Sequence, residues 1–320
     1  MRIKNIVINS LLLVLSILTA LFIAEGFLRF YYQPYAAHGV AVELNWMRNN
    51  PHDLTKIFTV DPNFGFRPLL GNDLFNEYGT LHNGYSVTKK SNITRLLFIG
   101  DSVTYRGRII NALKRIYGEQ AFEYWNAGVE SFNTIQEVNF YKKYNAAINA
   151  DHVILTFHLN DFETTPIAFY EENRLVVYAP NIPINRVNPW LFKNSHLYRF
   201  LLGVLIGEKN QHKEVIAQEI QQSLTELRDI LKSKDILFTV LVLPFLKPFE
   251  TWTPQDKESR EKIISILSTS NIRYFDLLET LNDAVKKEVN IQELQGDAWH
   301  PSDDVSHLFA NYLREKQLLQ

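Results

Sequence analysis

The chain contains no cysteine, which excludes disulfides, thiolate metal sites and a cysteine nucleophile together. It also lacks any excess of one charge: 33 basic residues stand against 35 acidic ones, a formal net charge of -2, with no long run of either sign. Nucleic acid is bound through a basic footprint, so no nucleic-acid partner is expected. No internal repeat or low-complexity tract is visible. No set of His, Asp and Glu has metal-ligand spacing, and neither a metal nor another cofactor is expected. What the chain does have is length and apolar content, 320 residues of which 46% are hydrophobic, ample for a buried core.

The N-terminus differs in kind from the rest. Met1-Arg2-Ile3-Lys4 precedes an apolar run from Ile6 to Ala24, interrupted only by Asn9, Ser10, Ser16 and Thr19. A helix of about 20 such residues crosses a bilayer. Arg2 and Lys4 put the N-terminus in the cytoplasm by the positive-inside rule, and everything beyond Glu25 on the far side. A cleaved signal peptide is the rival reading. The run is longer than a usual signal core, however, and Phe22-Ile23-Ala24-Glu25 offers no small-x-small cleavage site. Residues 1–32 are therefore read as a cytoplasmic stub and single-pass membrane anchor. Phe27, Arg29, Phe30, Tyr31 and Tyr32 have the aromatic and cationic character of side chains that settle among lipid headgroups.

Residues 33–90 carry Pro, Gly, Asn and Asp throughout and are expected to form an irregular lead-in of loops and short strands packing on the main domain. From residue 91 to 320 the rhythm changes to short apolar runs separated by helical patterns, the signature of parallel βα units. Five runs are expected as strands: 96–99, 122–125, 153–157, 236–243 and 272–275. Ile109, Ile110, Leu113 and Ile116, and later Ile216, Ile220, Leu224, Leu227 and Leu231, mark crossover helices. An open parallel sheet with helices on both faces follows, and its ligand sits beyond the carboxyl ends of the strands. Residues 162–208 interrupt the alternation as an insertion containing Pro166, Pro180, Pro183 and Pro189. Its apolar stretch from Leu197 to Ile206 is too short to span a membrane and reads as a packed helix or a lid.

At the end of the first strand stands Gly100-Asp101-Ser102, with Arg106-Gly107 and a helical pattern behind it. A serine on a strand-to-helix turn is raised above the sheet and directs its hydroxyl at the ligand crevice. Alone, such a triplet is more often an ordinary turn and helix cap. Context distinguishes it. Asn126-Ala127-Gly128 ends the second strand, where a glycine lets the backbone come close to a ligand so that its N–H joins that of Ser102 as an oxyanion donor. Asn160-Asp161 ends the third, and the Asn160 amide supplies a further donor. Asp297 and His300 precede the last apolar helix pattern. Their spacing lets the carboxylate hold the imidazole Nδ1–H and leaves Nε2 free to take the serine proton. A serine hydroxyl is a poor nucleophile at neutral pH without such a base. Among the remaining residues, His158 is a candidate substrate contact, although a histidine at a strand end is more often a satisfied structural group. Asp101 and Asp161 read as framework hydrogen bonders, Asp303 and Asp304 as caps of the final helix, His307 as surface or framework, and His152, His196 and Trp299 as packing.

Gly100-Asp101-Ser102, Gly128, Asn160-Asp161 and Asp297-x-x-His300 resemble, in order and rough spacing, the four blocks of the SGNH/GDSL hydrolase superfamily, and they span most of residues 95–313. The N-terminal run and Asp61-Pro62-Asn63-Phe64-Gly65-Phe66-Arg67 look like the membrane-anchored bacterial branch. The resemblance implies a three-layer α/β/α, flavodoxin-like fold with a five-stranded parallel sheet. It also implies a catalytic triad of Ser102, His300 and Asp297 and an oxyanion hole of Ser102, Gly128 and Asn160. One departure is His158, which stands where the family often has glycine and crowds the backbone before Asn160.

These readings point to a membrane-anchored, extracytoplasmic serine esterase, periplasmic or extracellular, whose partner is an acyl-ester substrate. The resemblance implies a small acyl group such as acetyl on a carbohydrate or lipid. Two alternatives stay open. The same triad can pass the acyl group to a glycan hydroxyl, as an O-acyltransferase. A non-catalytic glycan-binding or assembly module would share the scaffold, although such a module has no physical reason to hold Ser, Gly, Asn, Asp and His at strand ends.

Overall fold

A computed structural model describes residues 2–31, 54–171, 174–178, 187–206 and 211–319. Tyr32, residues 33–53 of the lead-in, and Pro180 and Pro183 of the insertion lie outside the described residues. The N-terminal run forms one helix, α1 (Arg2–Tyr31). Two of its four polar interruptions are absorbed internally: the Ser16 and Thr19 hydroxyls donate to the Leu12 and Leu15 carbonyls one turn back, at 2.8 and 2.9 Å. Every residue from Ile6 to Ile23 is exposed, so the protein itself does not cover this apolar surface. Among the described residues, α1 is the one helix long and apolar enough to cross a membrane, over Ile6–Phe30.

The described part of the lead-in contains a hairpin, β1 (Phe58–Asp61) paired with β2 (Gly65–Pro68). Asp61 closes its turn by accepting from the Asn63 N–H at 2.9 Å and from Arg67 Nε at 3.0 Å. Phe58, Phe64 and Phe66 of this hairpin are buried with Phe75, Phe132 and Phe140 in an aromatic cluster against the main domain.

The main sheet begins with β3 (Thr94–Gly100), β4 (Phe122–Gly128) and β5 (His152–His158). After a hairpin of β6 (Ile167–Glu171) and β7 (Arg174–Tyr178) in the insertion, it resumes with β8 (Leu237–Leu243) and β9 (Arg273–Asp276). The strand order is β4-β3-β5-β8-β9 and every pairing is parallel. All five expected strands are present; only Ile236 and Ile272 fall one residue outside them. Leu96, Leu97, Phe98 and Ile99 are all buried. That explains their unbroken apolar run, since a strand covered on both faces does not alternate.

The remaining helices are α2 (Ser102–Arg106), α3 (Arg108–Tyr117), α4 (Thr134–Lys143), α5 (Pro189–Asn194), α6 (His196–Ile206), α7 (Gln211–Lys232), α8 (Pro254–Thr269), α9 (Leu278–Lys286) and α10 (Asp303–Glu315), and those that cover the sheet are α3, α4, α7, α8, α9 and α10. They pack in two groups, α3 with α10 and α9, and α4 with α7 and α8, giving three layers. Ile216, Ile220, Leu224, Leu227 and Leu231 of α7 are all buried, each worth about 1.5–3 kcal/mol relative to exposure. In this strand order the chain leaves β3 toward β4 on one side and returns to β5 on the other. The carboxyl ends of β3 and β5 thus form the switch point where α/β folds bind ligands. Of the two readings of Leu197–Ile206, the structure gives the packed helix: α6 lies against α1 and α5 rather than over the carboxyl ends of the sheet.

Candidate active site

Gly100 ends β3 where the chain turns sharply into α2. A Cβ on Gly100 would lie 2.1 Å from Thr104 Oγ1, so only glycine lets the turn close this tightly. Asp101 caps α2 by accepting from the Val103 N–H at 2.9 Å, the framework role expected of it. Ser102 is the first helical residue, and its N–H has no partner among the described residues.

Across 198 positions of sequence, His300 Nε2 accepts from Ser102 Oγ at 2.9 Å. The other ring nitrogen, Nδ1, donates to Asp297 Oδ2 at 2.8 Å. Asp297 Oδ1 accepts from the Trp299 and His300 N–H groups at 3.0 and 3.1 Å. Burial alone would raise the Asp297 pKa. The hydrogen bonds from the His300 ring and the two backbone groups outweigh it and hold the pKa at about 2. The carboxylate is therefore ionised across the neutral range and fixes the ring tautomer, with the Nε2 lone pair facing the serine.

The segment carrying Asp297 and His300 is locked against the serine turn by a residue the sequence reading passed over. Glu293 accepts from Arg106 Nη1 at 2.5 Å and from Arg108 Nη2 at 2.7 Å, while its own N–H donates to the His300 carbonyl at 2.9 Å. Glu293 thus joins the end of α2 and the start of α3, through its carboxylate, to His300, through its backbone N–H. Sequence offers no signal for this pairing, because its members are about as far apart in the chain as Ser102 and His300 and none has a motif of its own.

Gly128 requires a correction. Its N–H donates to Asn126 Oδ1 at 2.9 Å, so it is committed within its own turn and is not an open oxyanion donor. The glycine is needed for a different reason: a Cβ there would sit 2.2 Å from the Tyr105 backbone nitrogen, so the residue lets α2 pack on β4. Three residues later Ser131 holds a left-handed φ of 59°, a conformation uncommon for a residue with a Cβ. No sequence pattern marks it.

Of the two readings of His158, the geometry favours the structural one. It is fully buried, and its Nδ1 lies 2.6 Å from Asn160 Oδ1. The Asn160 N–H approaches the same nitrogen at 3.4 Å, and both cannot be hydrogen bonds to one protonation state. The shorter contact decides it: Nδ1–H donates to Oδ1, which turns Asn160 Nδ2 away from the histidine, with no partner among the described residues. His158 is therefore a neighbour of Asn160 rather than a group reaching substrate. Burial lowers its pKa to about 4, against the hydrogen bond to Asn160, and keeps it neutral.

Asp161 takes the framework role expected of it, accepting from Thr134 Oγ1 at 2.9 Å and from the His158 N–H at 3.3 Å. His152 is structural, with Nε2 2.9 Å from Thr239 Oγ1. His307 is exposed. The final helix is capped by Ser302, whose hydroxyl accepts from the Val305 N–H at 3.2 Å, and not by Asp303 or Asp304; Asp303 instead pairs with Arg108 at 3.0 Å. No group of three or more His, Asp or Glu that could hold a metal ion occurs among the described residues.

No protein-family model matches the chain, and no curated protein sequence matches it. Among solved structures it is similar to an acetylxylan esterase from Geobacillus stearothermophilus, with 17% identity over 71% of this chain and 96% of that one and a TM-score of 0.45. It is also similar to an alpha/beta hydrolase enzyme from the metagenome of Lake Arreo, Spain, with 14% identity over 71% of this chain and 96% of that one and a TM-score of 0.46.

Proposed function

We propose that this chain is a serine ester hydrolase of the SGNH/GDSL type that cleaves small acyl esters by an acyl-enzyme route. The observation that carries the reading is the unbroken series Asp297 Oδ2, His300 Nδ1 and Nε2, Ser102 Oγ, with both links within 2.9 Å. Ser102 Oγ attacks the ester carbonyl carbon while its proton passes to His300 Nε2. The oxyanion that forms is met by the Ser102 N–H at the start of α2 and by Asn160 Nδ2, each such donor being worth about 3 kcal/mol of barrier. Collapse of this intermediate breaks the ester C–O bond, and the departing alkoxide takes the proton from His300. Water then attacks the acyl-enzyme, gives its proton to His300, and releases the acid as the proton returns to Ser102 Oγ. Asp297 keeps the ring in the productive tautomer throughout and stabilises the imidazolium that forms twice per cycle.

The exposed apolar surface of α1 supports an anchor in a membrane, with the rest of the chain outside the cytoplasm. An acyl ester on a carbohydrate or a lipid is the substrate class that fits such a location. The test is labelling of the full-length chain with a fluorophosphonate, which reacts with an activated serine. The parent should be labelled, Ser102→Ala should not, and turnover of a simple aryl acetate should fall by about a million-fold. An unlabelled parent, or parent-level turnover in Ser102→Ala, would remove Ser102 from the mechanism.

A further inference from the structure

Glu25 follows directly on the apolar run, and its carboxylate is occupied in an unusual way. It accepts from Ser195 Oγ at 2.8 Å, from the His196 N–H at 3.0 Å and from the Leu197 N–H at 2.8 Å, all at the amino end of α6. Arg29, one turn further along α1, pairs with Glu25 at 3.1 Å and donates to the Asn194 carbonyl at 3.0 Å. A helix from another part of the chain therefore takes its N-terminal cap from α1, and the negative charge faces the positive end of that helix. These bonds fix the start of α6 to one level along α1. With about 20 residues needed to cross a bilayer, the run from Ile6 puts that level at the outer edge of the hydrocarbon.

The side chains gathered at this level suit lipid better than water. Trp190 is 70% exposed, Phe30 81% and Phe27 59%, with Leu191 and Leu201 also exposed. Trp190 lies one turn before Asn194, only about 6 Å along the helix axis from the carbonyl bonded to Arg29. From Phe200 to Ile206 the sequence of α6 has no charged residue. The one cation of α6, Arg199, is buried and donates to the Phe192 and Lys193 carbonyls, so it is spent on closing α5. Trp190 beside exposed Lys193 and Arg29 is the mixture of aromatic and cationic groups that favours the headgroup layer. The segment is also tied inward: Phe192 and Leu202 pack with Ile167 and Phe169 of β6, and β6 packs on the β1–β2 hairpin.

We propose that α5, α6 and the outer end of α1 form one lipid-facing surface that seats in the outer headgroup layer and holds the main domain against the membrane at a fixed height. The proposal rests on the anchor reading given above, and Glu25 is the latch that joins the two elements. The occupant is the bilayer that already surrounds α1, because the exposed apolar surface is continuous with that helix.

The absence of cysteine makes the test direct, since each introduced thiol is unique. Full-length single-cysteine variants Leu15→Cys, Trp190→Cys, Leu201→Cys and Leu294→Cys would be spin-labelled in nanodiscs of phosphatidylcholine with one quarter phosphatidylglycerol. Collision rates with oxygen and with a water-soluble nickel chelate would then be compared. The oxygen-to-nickel ratio should be several-fold higher at positions 190 and 201 than at 294, and highest at 15. In a Glu25→Gln background the ratios at 190 and 201 should fall toward that at 294 while position 15 is unchanged. Water-like ratios at 190 and 201 with position 15 in lipid would overturn the seating and leave the anchor intact. Shielding of 190 and 201 from both reagents would overturn it in favour of a protein partner. A water-like ratio at position 15 would sink the anchor reading and the proposal with it.

Discussion

The two ends of β3 treat buried charge in opposite ways. At the amino end Arg95 is fully buried, yet every arm of its guanidinium is bonded. Nε donates to Glu123 at 2.7 Å, Nη1 to the Ile148 and Val87 carbonyls, and Nη2 to the Ser86 carbonyl, with the group lying 5.1 Å over the Trp125 ring. At the carboxyl end Asp101, six residues along, is also buried, as are Glu137 and Asp161 beside it, but both Glu137 oxygens and one Asp161 oxygen have no hydrogen-bond partner among the described residues. The first arrangement is a closed ion pair of the kind that resists removal of either partner. The second gathers three carboxyl groups around the serine turn, and burial together with their mutual repulsion pushes the pKa values of Glu137 and Asp161 well above the usual carboxylate range. A fold optimised for stability alone would not place them there, which fits the reaction proposed for the carboxyl end.

The largest expected effect separates the ends by function. Asp297→Asn removes the charge at the carboxyl end that the proposed reaction uses, and ester turnover should fall by about ten-thousand-fold through the wrong ring tautomer. The Asn amide oxygen can still accept from the Trp299 and His300 N–H groups, so the fold should persist and the loss is read per folded molecule. Turnover within tenfold of the parent would show that the carboxyl end is not set up as described.

Next in size is Arg95→Met at the amino end, which strands the Glu123 carboxylate in the core. It should cost about 3–5 kcal/mol in unfolding free energy. Activity per folded molecule should be retained, since Arg95 touches nothing at the site. A loss below about 1 kcal/mol in chemical denaturation would contradict the closed ion pair.

The smallest effect has the opposite sign. With its pKa raised in the folded state, Glu137 keeps a proton that the unfolded chain has already released. Stability from this group is thus present below the unfolded pKa and is lost as pH rises through the folded one. Glu137→Gln cannot ionise, and it should stabilise the protein by about 1 kcal/mol at alkaline pH and less at acid pH. Melting temperatures measured from about pH 5 to about pH 9 would show the gap between variant and parent widening with pH. A gap that narrows would mean that Glu137 is ionised and paired in the folded protein.

Much of this was legible beforehand, for identifiable reasons. Leu96–Ile99 and Val153–Phe157 read as strands because strands covered on both faces are continuous apolar runs, a pattern local to a few residues. Ser102, Asp297 and His300 could be named as candidates because the chemistry restricts residue type, because Ser102 opens α2, and because Asp297 and His300 stand three apart in the segment before α10. Gly128 misled for a related reason: a glycine at a strand end signals close approach, and sequence does not say whether a ligand or the backbone of Tyr105 is what approaches. His158 stayed open between two readings because a histidine's role depends on which nitrogen finds a partner, here Asn160.

What the sequence determined by itself was therefore local: an apolar helix of membrane-spanning length, five strands with their crossover helices, and the candidates for nucleophile, base and orienting carboxylate. These depend on periodicity and residue type, which are properties of neighbours in the chain. Tertiary structure alone decided that Gly128 N–H is spent on Asn126, that Glu293 clamps the histidine segment to the serine turn, and that Glu25 caps a helix 170 residues away. Each is a competition among hydrogen-bonding groups for partners within about 3 Å, and only folding determines which groups come that close.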